Sequence, residues 1–579
     1  MTSLNEWFEE KFKRDLNDSP EWSTILGIKN NYNELDDISA FKKNELLEQY
    51  KIDLKELSLF DDDKKNLYYE TYKYNLLDKI ENNKCINFIY PIDHLDGIHK
   101  SFIDFMINFH LINDKNDAWA YVQRLVLFEE KINQTIENII IRLNKNVGIP
   151  PTFVIDYIID DCNNIIKNNE NENLDDNIFT NDIMSKIQHL TNINKKNKKK
   201  LKICTTKIVH HIVIPSYKLL VDFLNELKNF SDDVDGVWKF NDPKFYKYMI
   251  KHHTTLHNVN PENIYLYGLA EVKRIHKEIY ENIMKPLERS QYSIEQFFQE
   301  IQNEKIFYLD NTPENKKKIL DTFYNYIENI KNNLDSVFIT KPKNNIIVKE
   351  IEKYRAQTST DAFYYEGSYN INRPGIFYVN LNNIETFPIY EMESLAYHEG
   401  IPGHHLQISI ANELNDDVPD FQKHSLYTVY AEGWALYSEY LAKEMGLFTD
   451  IFSDLGRLNY ELLRSCRLVV DVGIHWKKWT KDFAISYLTK NMIISYDNAK
   501  KAVERYIVTP GQALSYKIGM AFILKLRKYA MDKLKNNFDI REFHEVVLKN
   551  GSLPLFLLKK NIKLYVESKI KSKIESKIE

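Results

Sequence analysis

The stretch HEGIPGHHLQ, His398 to Gln407, most limits how this 579-residue chain can fold, because it gathers three imidazoles and a carboxylate around a proline. A helix advances about 100° per residue, so histidines four apart share a face, the spacing by which many zinc hydrolases grip their metal. Here the fourth position after His398 is Pro402, with Gly403 beside it. Proline cannot sit unstrained in a helix interior, so the helix must bulge or restart between Glu399 and His404. Without a bulge, His398 and His404 point roughly 240° apart, whereas His398 and His405 nearly eclipse. A bulge of about two residues returns a displaced histidine to the metal. Geometry leaves both His404 and His405 open.

A second motif, AEGWALYSE, Ala431 to Glu439, follows after a short interval. Tyr430, Ala431, Trp434, Leu436, Tyr437, Tyr440, Leu441 and Met445 form broad apolar faces, and Gly446 supplies a C-terminal stop, which predicts a helix after Tyr427. A carboxylate enclosed by aromatics needs a partner, and a zinc ion is sufficient. Glu432, with Gly433 and Ala435 beside it permitting close helix approach, is the expected third ligand. Glu439, seven residues on, is either an acceptor for a ligand imidazole N–H or an exposed surface glutamate. Three protein ligands leave a catalytic zinc one position for water, whose pKa falls to about 7. Glu399 is the natural base for that water and then the proton donor to a leaving amine.

In HEGIPGHH the Gly-His pair resembles the close of the His-Glu-x-Gly-His motif of thimet oligopeptidase-like and angiotensin-converting-enzyme-like peptidases. Dipeptidyl peptidase III-like enzymes tolerate one inserted residue there, and two is an extension of that pattern. The resemblance favours His404 as second ligand and keeps His405 in reserve. Ordered agreement runs across the chain: SPEWSTILGI, PENIYLYGLAEVKR (Pro261 to Arg274), GSYNINRPGIFYVNL (Gly367 to Leu381), both metal motifs, LRSCRLVVDVGIH (Leu463 to His475), PGQALSYKIG (Pro510 to Gly519) and FHEVVLKNGSLPLFLL (Phe543 to Leu558). By these motifs the chain resembles the domain of unknown function 885 family, which carries a gluzincin-type zinc peptidase signature. The resemblance implies a large, mainly α, metallopeptidase-like fold. Analogy with helical gluzincins adds two lobes and a cleft that admits oligopeptides more readily than folded proteins.

Ile376 to Leu381 reads as a strand after the Arg373-Pro374-Gly375 turn, so a small β-sheet is expected beside the zinc helix. It is either an ordinary sheet strand or an edge that pairs with an extended peptide, with Tyr378 as a substrate contact. In Leu463 to His475 an apolar run is interrupted by Arg464, Arg467, Asp471 and His475 at three- and four-residue spacing, one polar stripe that needs partners. It makes either an internal Arg-Asp-His network or a functional face in which Arg467 or His475 meets a substrate carbonyl or carboxylate. Related zinc peptidases steady the oxyanion with a His and a Tyr, which the resemblance carries to His475 and Tyr516. Tyr516 shares a face with Gln512 and Gly519 on the helix opening at Pro510. With 37 tyrosines in the chain, a core role for Tyr516 stands beside that one.

A 43% hydrophobic content with mean hydropathy −0.46 marks a globular chain, and no run of 18 apolar residues suggests a membrane span. A net charge of −6 gives no electrostatic reason to expect nucleic acid. The basic tract Lys195 to Lys202 and the Asn- and acid-rich Asn168 to Asp182 read as a solvated insertion or loop near 163–202, not a binding site. The closing SKIKSKIESKIE reads as a frayed helix end. Cys85, Cys162, Cys204 and Cys466 lack close pairing, the N-terminus has no apolar leader, and a cytoplasmic address is expected, unlike the many relatives that resemble secreted lipoproteins. Phosphate-loop, dinucleotide and nucleophile-elbow motifs are absent. Long 3.6-residue patterns at Ile264 to Met284 and Ala513 to Leu534 predict helices. The expected organisation is one family-wide unit, with an N-terminal helical lobe over 1–260 and a C-terminal lobe over 261–579 that carries the metal. The expected function is zinc-dependent hydrolysis of short peptides, by a carboxypeptidase or oligopeptidase-like enzyme. A zinc amidase and a metal-free helical peptide-binding protein are the alternatives, and a homodimer is left open.

Overall fold

A computed structural model describes residues 3–169, 174–352, 356, 360–368, 372–448 and 450–578. The fold is mainly helical with one three-stranded sheet. Two compact units divide the chain, Met1–Lys64 with Lys73–Val234, and Lys65–Tyr72 with Asp235–Glu579. The division falls earlier than the 260/261 boundary read from the sequence.

The first unit is built on the helix Lys115–Asn144, capped by Asp114, whose side chain accepts from Asn116 and Asp117 N–H groups. Its buried Arg124 is held by neutral partners, donating to the Glu34 carbonyl at 2.9 Å and Thr24 Oγ1 at 2.7 Å. Lys195 to Lys202 does not form a solvated loop. It opens the helix Lys195–Ile208, because Leu201, Thr205 and Thr206 recur at helical spacing and are buried while Lys195, Lys196, Lys199 and Lys200 before them are exposed. The helices Thr152–Asn169 and Ile178–Ile187 account for most of the remaining described part of the expected insertion.

The second unit contains the helices α1 (Pro261–Ile279), α2 (Pro313–Lys331), α3 (Met392–Glu399), α4 (His404–Asn412), α5 (Thr428–Glu444), α6 (Ile451–His475), α7 (Tyr496–Val508), α8 (Ser515–Leu534), α9 (Ile540–Leu548) and α10 (Leu555–Ile578). Both long periodic segments are helical, α1 running on through a π-turn at Tyr280–Met284 and α8 following a 3₁₀ turn at Gln512–Leu514. α5 stops as its sequence requires: Gly446 takes φ 83°, its N–H donates to Lys443, and Leu447 N–H donates to Ala442. Gly268 lets α1 lie close on α6, since a Cβ there would sit 2.8 Å from Leu468 Cβ. Lys517 of α8 then reaches Glu271 of α1 at 2.9 Å and Glu461 of α6 at 2.5 Å. Burial raises the Glu461 carboxyl pKa, but Lys517 and Arg274 outweigh it and hold it at about 2.

The sheet comprises β1 (Ile346–Glu350), β2 (Ala362–Tyr365) and β3 (Gly375–Val379), in the order β1-β3-β2. β3 pairs parallel with β1, Ile346 opposite Gly375, and antiparallel with β2, Ala362 opposite Val379. The expected strand is therefore present but central. Both its edges are used, so it cannot offer one to a peptide, and β1 and β2 are the outer strands. Tyr378 is buried, packs at 5.2 Å on Phe363 and 5.5 Å on Tyr365, and donates to Glu352 at 3.1 Å. Its hydroxyl and ring are thus occupied within the sheet region, which places it away from the substrate role read for it.

Candidate metal centre

The Pro-Gly interruption restarts the helix. α3 ends at Glu399 and α4 begins at His404, with a cis Ile401–Pro402 peptide between them. Gly403 is required by space: a Cβ there would lie 1.9 Å from the His398 carbonyl oxygen. That neighbour is backbone and cannot swing aside, so Gly403→Ala is expected to cost on the order of 1–3 kcal/mol by overpacking. A thermal midpoint equal to wild type would contradict this. The Pro402 carbonyl accepts from Trp434 Nε1 at 2.8 Å and Ser438 Oγ at 3.2 Å, so α5 holds the turn that separates the two histidines.

Across this turn the His398 and His404 rings stand perpendicular, with centroids 4.9 Å apart. Glu432 of α5 completes the cluster, its Oε2 3.5 Å from His398 Nε2 and 3.4 Å from His404 Nε2. One ligand atom from each of the three residues lies within 4.8 Å of the others, the single such metal-compatible group of His, Cys, Asp or Glu among the described residues. Glu432 Oε2 is buried and takes no hydrogen bond. A buried carboxylate oxygen near two imidazole nitrogens without hydrogen-bond geometry is the environment a divalent cation fits.

Glu439 makes the buried contact, not the exposed one. His398 Nδ1 donates to its Oε1 at 2.8 Å, and its Oε2 accepts from Ser394 Oγ at 2.8 Å. With a metal bound, this contact would hold the tautomer whose Nε2 lone pair faces Glu432 and His404. Burial opposes charge on His398, but Glu432 and Glu439 outweigh it and raise its pKa to about 9. Burial likewise raises Glu432, while both imidazoles pull its carboxyl well below the usual range. His405, held in reserve, turns elsewhere: Tyr364 donates to its Nδ1 at 3.0 Å and its Nε2 donates to the Asn344 carbonyl at 3.2 Å. Its pKa is lowered to about 4, chiefly by burial. Glu399 is buried at the end of α3, next to His398.

Tyr516 of α8 stacks at 6.3 Å and 18° on His398. Its hydroxyl accepts from Arg505 Nη2 at 3.3 Å and Gln512 Nε2 at 3.5 Å, which leaves its own proton available to donate. The Arg467 guanidinium lies 4.4 Å from the Tyr516 ring centroid and its Nε donates to Tyr506 Oη at 3.1 Å. His475 does not join this group. Its Nδ1 accepts from Val237 N–H at 3.2 Å and its Nε2 donates to the Tyr506 carbonyl at 2.8 Å, so both ring nitrogens serve the backbone. Burial lowers its pKa to about 4, and the expected oxyanion role is corrected to a structural one. Nor is the stripe an Arg-Asp-His network. Asp471 accepts from Tyr246 Oη at 2.7 Å and from Gly511 N–H at 3.1 Å, with its pKa raised to about 7 by burial. Ser394 and Arg505 were not foreseen. Ser394 lies four residues before His398, a helical spacing that could have found it, whereas no local pattern marks Arg505.

Fold and site define a helical protein with a two-histidine, one-glutamate candidate metal centre. The chain belongs to the family described as bacterial protein of unknown function (DUF885), whose model matches residues 20–562. No functionally curated protein matches it. Among solved structures it is similar to a "putative lipoprotein" from Colwellia psychrerythraea, with 26% identity, TM-score 0.90, and 98% of this chain and 99% of that one covered. It also shares the fold of a "putative lipoprotein of unknown function" from Shewanella oneidensis, at 15% identity and TM-score 0.71, covering 97% and 99%. Among the described residues no helix is long and apolar enough to cross a membrane.

Proposed function

We propose that this protein is a zinc-dependent peptidase of gluzincin type acting on short peptides. The observation that carries this reading is the convergence of His398 Nε2, His404 Nε2 and Glu432 Oε2, with Glu399 beside the first of them. Bound there, zinc would supply Lewis-acid polarisation and a water acidified to a pKa of about 7. Glu399 takes the proton from the attacking water and delivers it to the leaving amine. Tyr516 donates to the oxygen that gains negative charge. β2, the outer strand that packs beside α3, would take an extended peptide as an added strand. The four free cysteines suit a reducing, cytoplasmic setting.

Incubation of zinc-loaded protein with a mixed oligopeptide pool, read by mass spectrometry, tests the substrate class. New termini are expected in wild type. An intact pool at full zinc occupancy would turn the reading toward an amidase. Glu439 offers a separate check. Because it orients His398 and carries no ligand atom of the cluster, Glu439→Gln is expected to weaken zinc affinity about 10–100-fold, measured by competition with a chromophoric chelator. Wild-type affinity in that variant would remove Glu439 from the site.

A further inference from the structure

Arg467 and Arg505 differ from the other arginines around the centre. Arg274, Arg457, Arg464 and Arg527 each face a carboxylate: Glu271 at 3.0 Å, Asp454 at 2.8 Å, Glu439 at 4.0 Å and Glu444 at 2.6 Å. Arg467 and Arg505 have no carboxylate within 4.0 Å among the described residues; their partners are the neutral Tyr506 Oη, Gln512 Oε1 at 3.2 Å and Tyr516 Oη. Both are half-buried, and neither has a carboxylate in contact among those residues, Glu432 acting on Arg467 only from beyond 4.0 Å, so the guanidinium forks are open to an incoming anion. They come from different helices, α6 and α7, and meet on one tyrosine: Arg467 lies over its ring and Arg505 binds its hydroxyl.

That tyrosine ties the arginines to the metal cluster. Its ring contacts the guanidinium of Arg467, 4.4 Å away, and stacks on the ring of His398, 6.3 Å away, so the guanidinium lies within about 11 Å of that imidazole. Extended peptide advances roughly 3.3–3.6 Å per residue, so a terminal carboxylate on the arginines would leave a bond near the chain end beside the cluster. Guanidinium groups present forked donors that match a carboxylate. Resting on the peptidase reading, we infer that Arg467 and Arg505 form the anchor for the free α-carboxylate of the substrate, making the protein an exopeptidase that removes residues from the C-terminus.

The test is a binding comparison on zinc-loaded Glu399→Gln protein by titration calorimetry. Three probes are used: the peptide Ac-Ala-Ala-Phe-Ala-Ala-Leu as free acid, its C-terminal amide, and the amide with Glu in the last position. The free acid is expected to bind about tenfold or more tighter than either amide, the gain typical of charge-assisted hydrogen bonds. Arg467→Gln and Arg505→Gln should each erase that advantage while retaining zinc. Equal binding of acid and amide, no binding of any probe, or an advantage that survives both substitutions would overturn the anchor. Equal binding of the Glu-amide and the free acid would overturn it in favour of an acidic side-chain site. The acid-amide contrast in the unsubstituted arginine background needs no arginine variant to fold. Cleavage of the free acid by wild type is scored separately: a retained preference without cleavage would sink the peptidase reading and leave the carboxylate site standing.

Discussion

Wild-type protein equilibrated with zinc is expected to hold about one ion per chain, and His398→Ala, His404→Ala and Glu432→Ala are each expected to hold essentially none. His405→Ala should keep its zinc, because that ring is engaged by Tyr364 and Asn344. Elemental mass spectrometry after dialysis reads all five proteins on one scale. The contrast between adjacent histidines is the discriminating part, since a general loss of structure would not spare one of them. Chelation gives an independent readout. A ligand present at about a thousandfold its dissociation constant stabilises the native state by roughly 4 kcal/mol, so its removal should lower the melting midpoint. Zinc-free wild type, with a midpoint indifferent to chelator, would leave a metal-free helical peptide-binding protein.

Glu399→Gln should separate holding the metal from using it. The amide is nearly the same size as the carboxylate but cannot accept the proton, so hydrolysis of cleaved peptides should fall about 10²–10⁴-fold, the usual worth of a general base. Zinc content should not change, because Glu399 contributes no ligand atom to the cluster. Turnover within a few-fold of wild type would assign proton transfer to another group. Loss of zinc together with activity would place Glu399 in the support of the site instead.

The parts of this architecture visible in the sequence are those governed by local rules. Pro402 forbids a continuous helix wherever it stands, so the restart at His404 follows from one residue, and Gly446 marks the end of α5 for a similarly local reason. Glu432 was accessible because a carboxylate among Tyr430, Trp434 and Tyr437 has few other uses. What escaped depends on partners far away in the chain. His475 looked like a site residue because a buried polar stripe shows that partners exist without saying which, and its partners are main-chain groups at Val237 and Tyr506. The strand over 375–379 was recognisable from β-branched and aromatic content, but whether a strand is central or at an edge is set by neighbours that composition does not encode. In the basic tract, charge density masks a helical spacing: Leu201, Thr205 and Thr206 form the buried face, and only Leu201 of the three is apolar.

Gly433 and Gly519 bring α5 and α8 together so tightly that a Cβ on Gly433 would fall 2.4 Å from Gly519 Cα, and one on Gly519 would fall 2.1 Å from the Val429 carbonyl oxygen. Gly433 directly follows Glu432, and Gly519 lies one turn beyond Tyr516. The separation of the carboxylate from the tyrosine is therefore machined by two hydrogens where side chains would otherwise be. Metal–ligand distances tolerate only about 0.2 Å of error, less than the displacement one methyl group would force on either helix. A metal held by Glu432 would therefore constrain this crossing a second time, beyond the packing that the two glycines already impose.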